Sequence, residues 1–279
     1  MTDLATTLAT TIDALASASS LPGNTRAVVA QLLDALEAGT VRAATRDAEG
    51  HWTAVSWVKR GILLAFRVGV LAIEQVGPFA FIDKDTLPAR TLTLADGVRI
   101  VAGGSAVRRG SHLAPGVICV PPMYVNVGAW VGRDSLVDSH ALVGSCAQIG
   151  DRVHLSAAAQ IGGVLEPVNA APVVIEDDVI VGGNCGVYEG TVVRAGAVLG
   201  AGVILTRSTP VYDLVHERVY RGTAAEPLEI PAGAVVVPGA RQVSRGWGLE
   251  QGLALQTPVI VKYRDDKTDA AVALEEWLR

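Results

Sequence analysis

The sequence predicts a mainly β protein: a parallel β-helix of six-residue repeats, led by an α-rich N-terminal domain and closed by a small C-terminal cap. Three observations carry this. Aliphatic residues recur every six positions through about a hundred residues of the middle of the chain. The 279 residues are 50% hydrophobic but only 5% aromatic, with 30 glycines, so the core is built from small and β-branched side chains, as in closely stacked strands. A helical period is confined to the N-terminal part.

Residues 3–37 read as two helices. In the second, Val28, Val29, Leu32, Leu33 and Leu36 form an i, i+3/i+4 stripe, and Gly39 is the stop. The run VRAATRDAEGHWTAVSWV reads as a hairpin with Glu49 and Gly50 in its turn. A further helix, WVKRGILLAFRV, follows. The N-terminal domain is set at residues 1–98, and its first 95 residues are expected to be α-rich.

Beyond it the period is neither two nor 3.6. Steps of six from Val107 give Leu113, Cys119, Val125, Val131, Val137, Val143, Ile149, Leu155 and Ile161. After a break at VLEPVNAAP the count resumes at Ile175 and continues through Val181, Val187, Val193, Leu199 and Leu205. In a chain that is half hydrophobic, one preset phase does this by chance about once in 65,000, so the repeat is real. The following residue is often small (Gly132, Gly144, Gly150, Gly162, Gly182, Gly200), and the fourth residue on is small or aliphatic (Val117, Ala141, Val153, Val179). Three such units close one triangular coil, coils lie about 4.8 Å apart, and residues eighteen apart stack. The β-helix is set at 99–210. Residues 211–279 hold the cap: a terminal coil or strand at EIPAGAVVVPGARQ, a strand at TPVIVKY and a short amphipathic helix at DKTDAAVALEEWLR.

Several function classes drop out. A formal charge of −5 with no basic stripe argues against a nucleic-acid partner. Cys119, Cys146 and Cys185 are too few and scattered for a disulfide framework or a zinc site. Cys119 and Cys185 read as core fillers, while Cys146, in a GSCA turn, is expected to be partly exposed. The chain opens without a signal-peptide pattern and has no uninterrupted apolar run long enough to span a membrane, so a cytoplasmic protein is expected. A γ-type carbonic anhydrase on the same prism needs two histidines five residues apart, and His51, His112, His140, His154 and His216 hold no such pair. A non-catalytic prism would show a regular outward array, and here the outward residues are irregular.

At YVNVGAWVGRDSLVDSHALVGSCAQIGDRVHLS (124–156) and IGGVLEP (161–167) the chain resembles the tetrahydrodipicolinate N-succinyltransferase family. HWTAVSWVKRGILLAFRV and TPVIVKY match as well. The resemblance implies a left-handed coil and a homotrimer with sites between neighbouring prisms. It further implies transfer of succinyl from succinyl-CoA to the amine of ring-opened tetrahydrodipicolinate, with no metal. An N-acetyltransferase on a similar amine is the rival within the class.

Asp138 is the leading candidate: it follows inward Val137, where the residue is usually small, and it falls where the family has an active-site aspartate. The competing reading is an Asp bonding its own turn. The resemblance puts a functional glutamate at a position that here is Gly186, in GGNCGVYEG, a departure that leaves Glu189 as the second acid or as a structural corner residue. Arg99 matches a family arginine for the substrate carboxylate, where a planar fork pairs bidentately. Asn126 and Ser156, in the same run, are taken as substrate-binding. His154 is the base if the donor is acetyl-CoA, and His140 is positioned to orient Asp138. Gly162 and Gly163 allow close approach of the acyl chain to the backbone. Arg241, Arg245 and Lys262 are expected near the CoA phosphates. The VLEPVNAAP break is expected to arch over a neighbouring subunit's groove.

Overall fold

The computed structural model describes residues 2–223 and 226–264, and its centre is a left-handed parallel β-helix. Each hexad supplies a two-residue strand whose first residue points out and whose second points in. All sixteen residues of the six-step count are inward and buried, from Val107 to Leu205. The residue four positions on also points in, as Val117, Ala141, Val153 and Val179 do, so two small or aliphatic side chains per hexad fill the prism.

The strands form three flat ladders. Outward residues of face I are Arg99, Ile118, Leu136, His154, Ile180 and Val198. Face II presents Ala106, Tyr124, Leu142, Gln160, Gly186 and Ile204. Face III presents His112, Trp130, Gln148, Val174, Val192 and Glu229. Register advances by eighteen residues per coil, as from Val137 to Leu155, and by twenty-six across the VLEPVNAAP break, as from Leu155 to Val181.

Corners need a left-handed residue three places after the inward one. Glycine meets this at Gly110, Gly116, Gly128, Gly190, Gly196 and Gly202, while Asp134, His140, Cys146, Arg152, Ala158, Asp178 and Asn184 adopt it as non-glycine residues. Each of the latter costs on the order of 1 kcal/mol, which the ladder hydrogen bonds on either side must outweigh.

The coils run past residue 210. Glu229–Ile230 extends face III beside Val192–Val193, and Val235–Val236 extends face I beside Val198–Leu199. Face II ends at Ile204–Leu205. The long strand Ala234–Gln242 then pairs antiparallel with Ala254–Tyr263, through a tip that carries the short helix Gly246–Glu250. The helix expected at 266–279 lies outside the described residues.

The N-terminal unit holds α1 (Thr2–Ala16), α2 (Thr25–Glu37) and α3 (Ser56–Val68). Between α2 and α3 is the expected hairpin, Ala44–Arg46 with Trp52–Ala54. The segment to residue 95 is α-rich, and it adds a second hairpin that the sequence reading did not place, pairing Leu71–Val76 with Phe79–Lys84. Its alternation was hidden by apolar residues on both faces, several of them exposed, including Ile73, Phe79 and Ile82. The helices cover face III and its corner with face II. His112 stacks on Trp130 at 3.9 Å, the Arg42 guanidinium lies 4.3 Å from the Trp130 ring centroid, and Trp52 donates to Glu176 at 2.9 Å.

Cys146 is fully buried, against expectation. It sits at the face II/III corner in one apolar cluster with Val127, Ile62 and Leu33, under the N-terminal helices. A corner residue that is solvent-facing in a bare prism becomes core once a second unit docks on that corner.

Candidate active site

Asp138 stands at the face I/II corner, in a column with Val120 below and Ser156 above. It is half-buried. One carboxylate oxygen accepts from the Ser139 N–H at 2.7 Å, so the turn-bonding role is present; the described residues give the other oxygen no hydrogen bond. His140, two residues on, takes the left-handed conformation and its carbonyl accepts from Gln160 Nε2 at 3.0 Å. His154 is on face I between Leu136 and Ile180, half-buried, one coil above the Asp138 level. Arg99 is exposed at the start of the same face, beside Ile118 and two coils below Leu136.

The other predicted residues lie elsewhere. Asn126, Gly144 and Gly162 stack in the face II/III corner column, and Asn126 accepts from the Val127 N–H at 2.8 Å. Gly163 lies against the coil below: a Cβ there would come 2.2 Å from the Ser145 nitrogen, so only glycine lets the excursion leave the prism at this point. Glu189 is an exposed, left-handed residue of that corner, accepting from the Arg207 N–H at 3.1 Å. Asp138 and Glu189 therefore sit on opposite edges of face II, and the chain does not bring the two acids together. The basic trio is also dispersed. Arg241 pairs with Leu255 towards the tip of the C-terminal hairpin, where Arg245 precedes the short helix, whereas Lys262 pairs with Val235 at its base. Six residues of strand separate Arg241 from Val235, roughly 20 Å.

The excursion packs on its own chain. Lys59, fully buried in α3, donates from Nζ to the Ala170 carbonyl at 2.7 Å, and Leu165 joins the N-terminal apolar cluster. Burial lowers the Lys59 pKa, against an opposing contribution from Cys146. This anchor is local, which the expectation of an arch over a neighbour did not include. Above it open two adjoining hollows of about 580 and 480 Å³, which share Pro167, Ala170, Glu189, Arg207 and Thr223 as walls. Arg207 is half-buried, and no described residue bonds its guanidinium. Arg207, Lys59 and Tyr188, whose ring lies over Gly162 and Gly186, were missed from sequence. For Arg207 a signal existed, since it is the eighteen-residue stacking partner of Glu189.

Comparison with known proteins places this architecture. Residues 7–68 match the tetrahydrodipicolinate N-succinyltransferase N-terminal family model, and residues 172–207 match the hexapeptide repeat of succinyl-transferase. The 2,3,4,5-tetrahydropyridine-2,6-dicarboxylate N-succinyltransferase of Nitrobacter hamburgensis is 40% identical over 92% of this chain and 91% of its own. That of Polynucleobacter asymbioticus is 41% identical over 94% and 93%. The chain belongs to the tetrahydrodipicolinate N-succinyltransferase family. A solved structure described as a putative 2,3,4,5-tetrahydropyridine-2-carboxylate N-succinyltransferase from Campylobacter jejuni is 16% identical, covering 83% of this chain and 62% of that one, with a TM-score of 0.42. Within the succinyltransferase family frame, face II is the surface that joins Asp138 on one edge to Gly162, Glu189 and Arg207 on the other. Among the described residues no helix is long and apolar enough to cross a membrane.

Proposed function

We propose that this protein transfers a succinyl group from succinyl-CoA to the amine of ring-opened tetrahydrodipicolinate, as a cytoplasmic homotrimer. The observation that carries the reading is the near-full-length identity of about 40% to succinyltransferases on both chains. The amine nitrogen attacks the thioester carbon, and the carbonyl oxygen takes the negative charge. Backbone N–H groups of the corners stabilise that oxyanion. Asp138 accepts the proton that the nitrogen loses, through the carboxylate oxygen its own turn leaves free. Collapse of the intermediate breaks the C–S bond and releases CoA.

The donor's distal carboxylate needs a cation. Arg207 supports the succinyl choice over acetyl, because a guanidinium in a hollow, with no side-chain partner among the described residues, suits bidentate pairing. No carboxylate stands at residue 186, so acid–base chemistry rests on Asp138 alone in this reading. The test is release of CoA thiol with succinyl-CoA or acetyl-CoA and L-2-aminopimelate. Succinyl-dependent turnover that falls at least a hundredfold in Asp138→Ala is expected, on the order of one lost proton-transfer group. Preference for acetyl-CoA would overturn the donor assignment.

A further inference from the structure

Face II has one gap in its outward row. Ala106, Tyr124, Leu142, Gln160 and Ile204 each carry a side chain there, and Gly186 does not. The space is filled from the side. A Cβ built on Gly186 would lie 2.5 Å from Cε2 of Tyr188, 2.8 Å from its Oη and 2.9 Å from Cζ. At the other end of the ring, a Cβ on Gly162 would lie 2.9 Å from Tyr188 Cδ1. Two glycines from successive coils thus form a notch, and the phenol lies across it with its hydroxyl over face II.

The seat is fixed from behind. The Tyr188 N–H donates to Leu205 at 2.9 Å, and its carbonyl accepts from the Thr191 hydroxyl at 2.7 Å. Tyr188 is half-buried, and no described residue hydrogen-bonds its hydroxyl. The hydroxyl is reached by solvent, so a ligand lying on face II can bond it. Asp138 lies two coils below Gly182, and Leu142, four residues after Asp138, lies two coils below Gly186. The two groups are therefore offset by about 10 Å along the axis and by those four residues across the corner, a span that an extended ligand with a hydrogen bond at each end covers. An extended seven-carbon amino dicarboxylate measures roughly 8 Å from its amine to its far carboxylate at standard bond lengths.

We propose that the Tyr188 hydroxyl donates a hydrogen bond to the far carboxylate of the acyl acceptor while the amine lies at Asp138. The proposal rests on the acyltransferase reading above. Tyr188 on this account binds and selects the acceptor, and takes no part in proton transfer.

The experiment compares wild type, Tyr188→Phe and Gly186→Ala with succinyl-CoA and either L-2-aminopimelate or 2-aminoheptanoate, which lacks the far carboxylate. Tyr188→Phe keeps the ring in its notch and removes only the hydroxyl. Its KM for L-2-aminopimelate is expected to rise about tenfold or more, the size of one hydrogen bond to a charged group. The succinyl-CoA KM and kcat are expected to stay within about twofold, and kcat/KM for 2-aminoheptanoate to match wild type. Gly186→Ala displaces the ring and should shift the amine KM in the same direction, with the melting temperature checking that both variants fold. An unchanged amine KM in Tyr188→Phe, with wild type turning over, overturns the role of Tyr188 and leaves the acyltransferase reading intact. A wild type that releases no CoA from succinyl-CoA with either amine overturns both.

Discussion

The two named acids separate at the level of the single residue. Asp138 is half-buried at a corner flanked by Ser156, while Glu189 is exposed at a corner where its carboxylate already accepts the Arg207 N–H. The geometry favours a corner role for Glu189. Glu189→Ala is expected to cost about 1 kcal/mol of stability, one exposed hydrogen bond, and to leave kcat within about twofold. Urea unfolding and steady-state kinetics on the same preparation check this, and a hundredfold loss of kcat would make Glu189 part of the chemistry. From sequence, the column holding Asp138 was legible because the six-residue count fixes which residues share a corner. The place of Tyr188 was not. Its ring reaches back over Gly186, a contact set by a side-chain torsion and by the absence of two Cβ atoms, neither of which the period encodes.

Secondary-structure elements were legible where a single period ruled. Sixteen inward positions, three helices and the first hairpin follow from periodicity and turn residues. The Leu71–Lys84 hairpin was missed because neither face is cleanly polar. The rungs after residue 210 were legible only as a terminal coil or strand at EIPAGAVVVPGARQ, outside the six-residue count, because a long insertion precedes them. That insertion is tied down by one buried carboxylate. Asp213, at the end of strand Val211–Asp213, accepts from Val215 N at 2.9 Å, His216 N at 3.1 Å and the Tyr263 hydroxyl at 2.8 Å, with the His216 ring 2.9 Å away. Burial works to raise its pKa, and these hydrogen bonds outweigh it, bringing the value down from 3.8 to about 2. A carboxylate depressed in the folded state contributes stability that is complete above the unfolded value and fades as pH falls through the folded one. The window is therefore from about pH 4 down to about pH 2, and the contribution is about 2.5 kcal/mol. Asp213→Asn should lower the urea midpoint at pH 6 and show a shallower decline than wild type between pH 4 and pH 2. Parallel curves would place the acid sensitivity on other groups.

On the scale of the whole molecule the question is whether the N-terminal unit stays seated on the prism, and the three cysteines report on it. Cys119 and Cys185 are inside the coil, whereas Cys146 is buried only because α3 and its neighbours cover the face II/III corner. A Cβ added at Gly128, in the same corner, would meet both Cys146 Sγ and Ile62 Cδ1 at 2.8 Å, so the contact between the two units is tight there. Burial pushes the Cys119 and Cys146 thiols up to about 12, and the thiolate is the reactive form. Native protein at pH 8 should therefore react with essentially none of its thiols in an aromatic disulfide reagent, and with all three once unfolded in guanidinium. Ile62→Asp removes an apolar contact from the covering helix without touching the interior of the prism. It should expose one thiol while the other two stay protected, and mass spectrometry of the labelled protein should place the label on Cys146. If wild type itself labels quickly at Cys146, the unit lifts from the corner in solution. The Lys59 bond to the excursion would then open with it, coupling motion of the N-terminal unit to the hollows above Glu189. If all three thiols appear together in Ile62→Asp, the prism depends on the N-terminal unit for its own fold, and the two are one cooperative body.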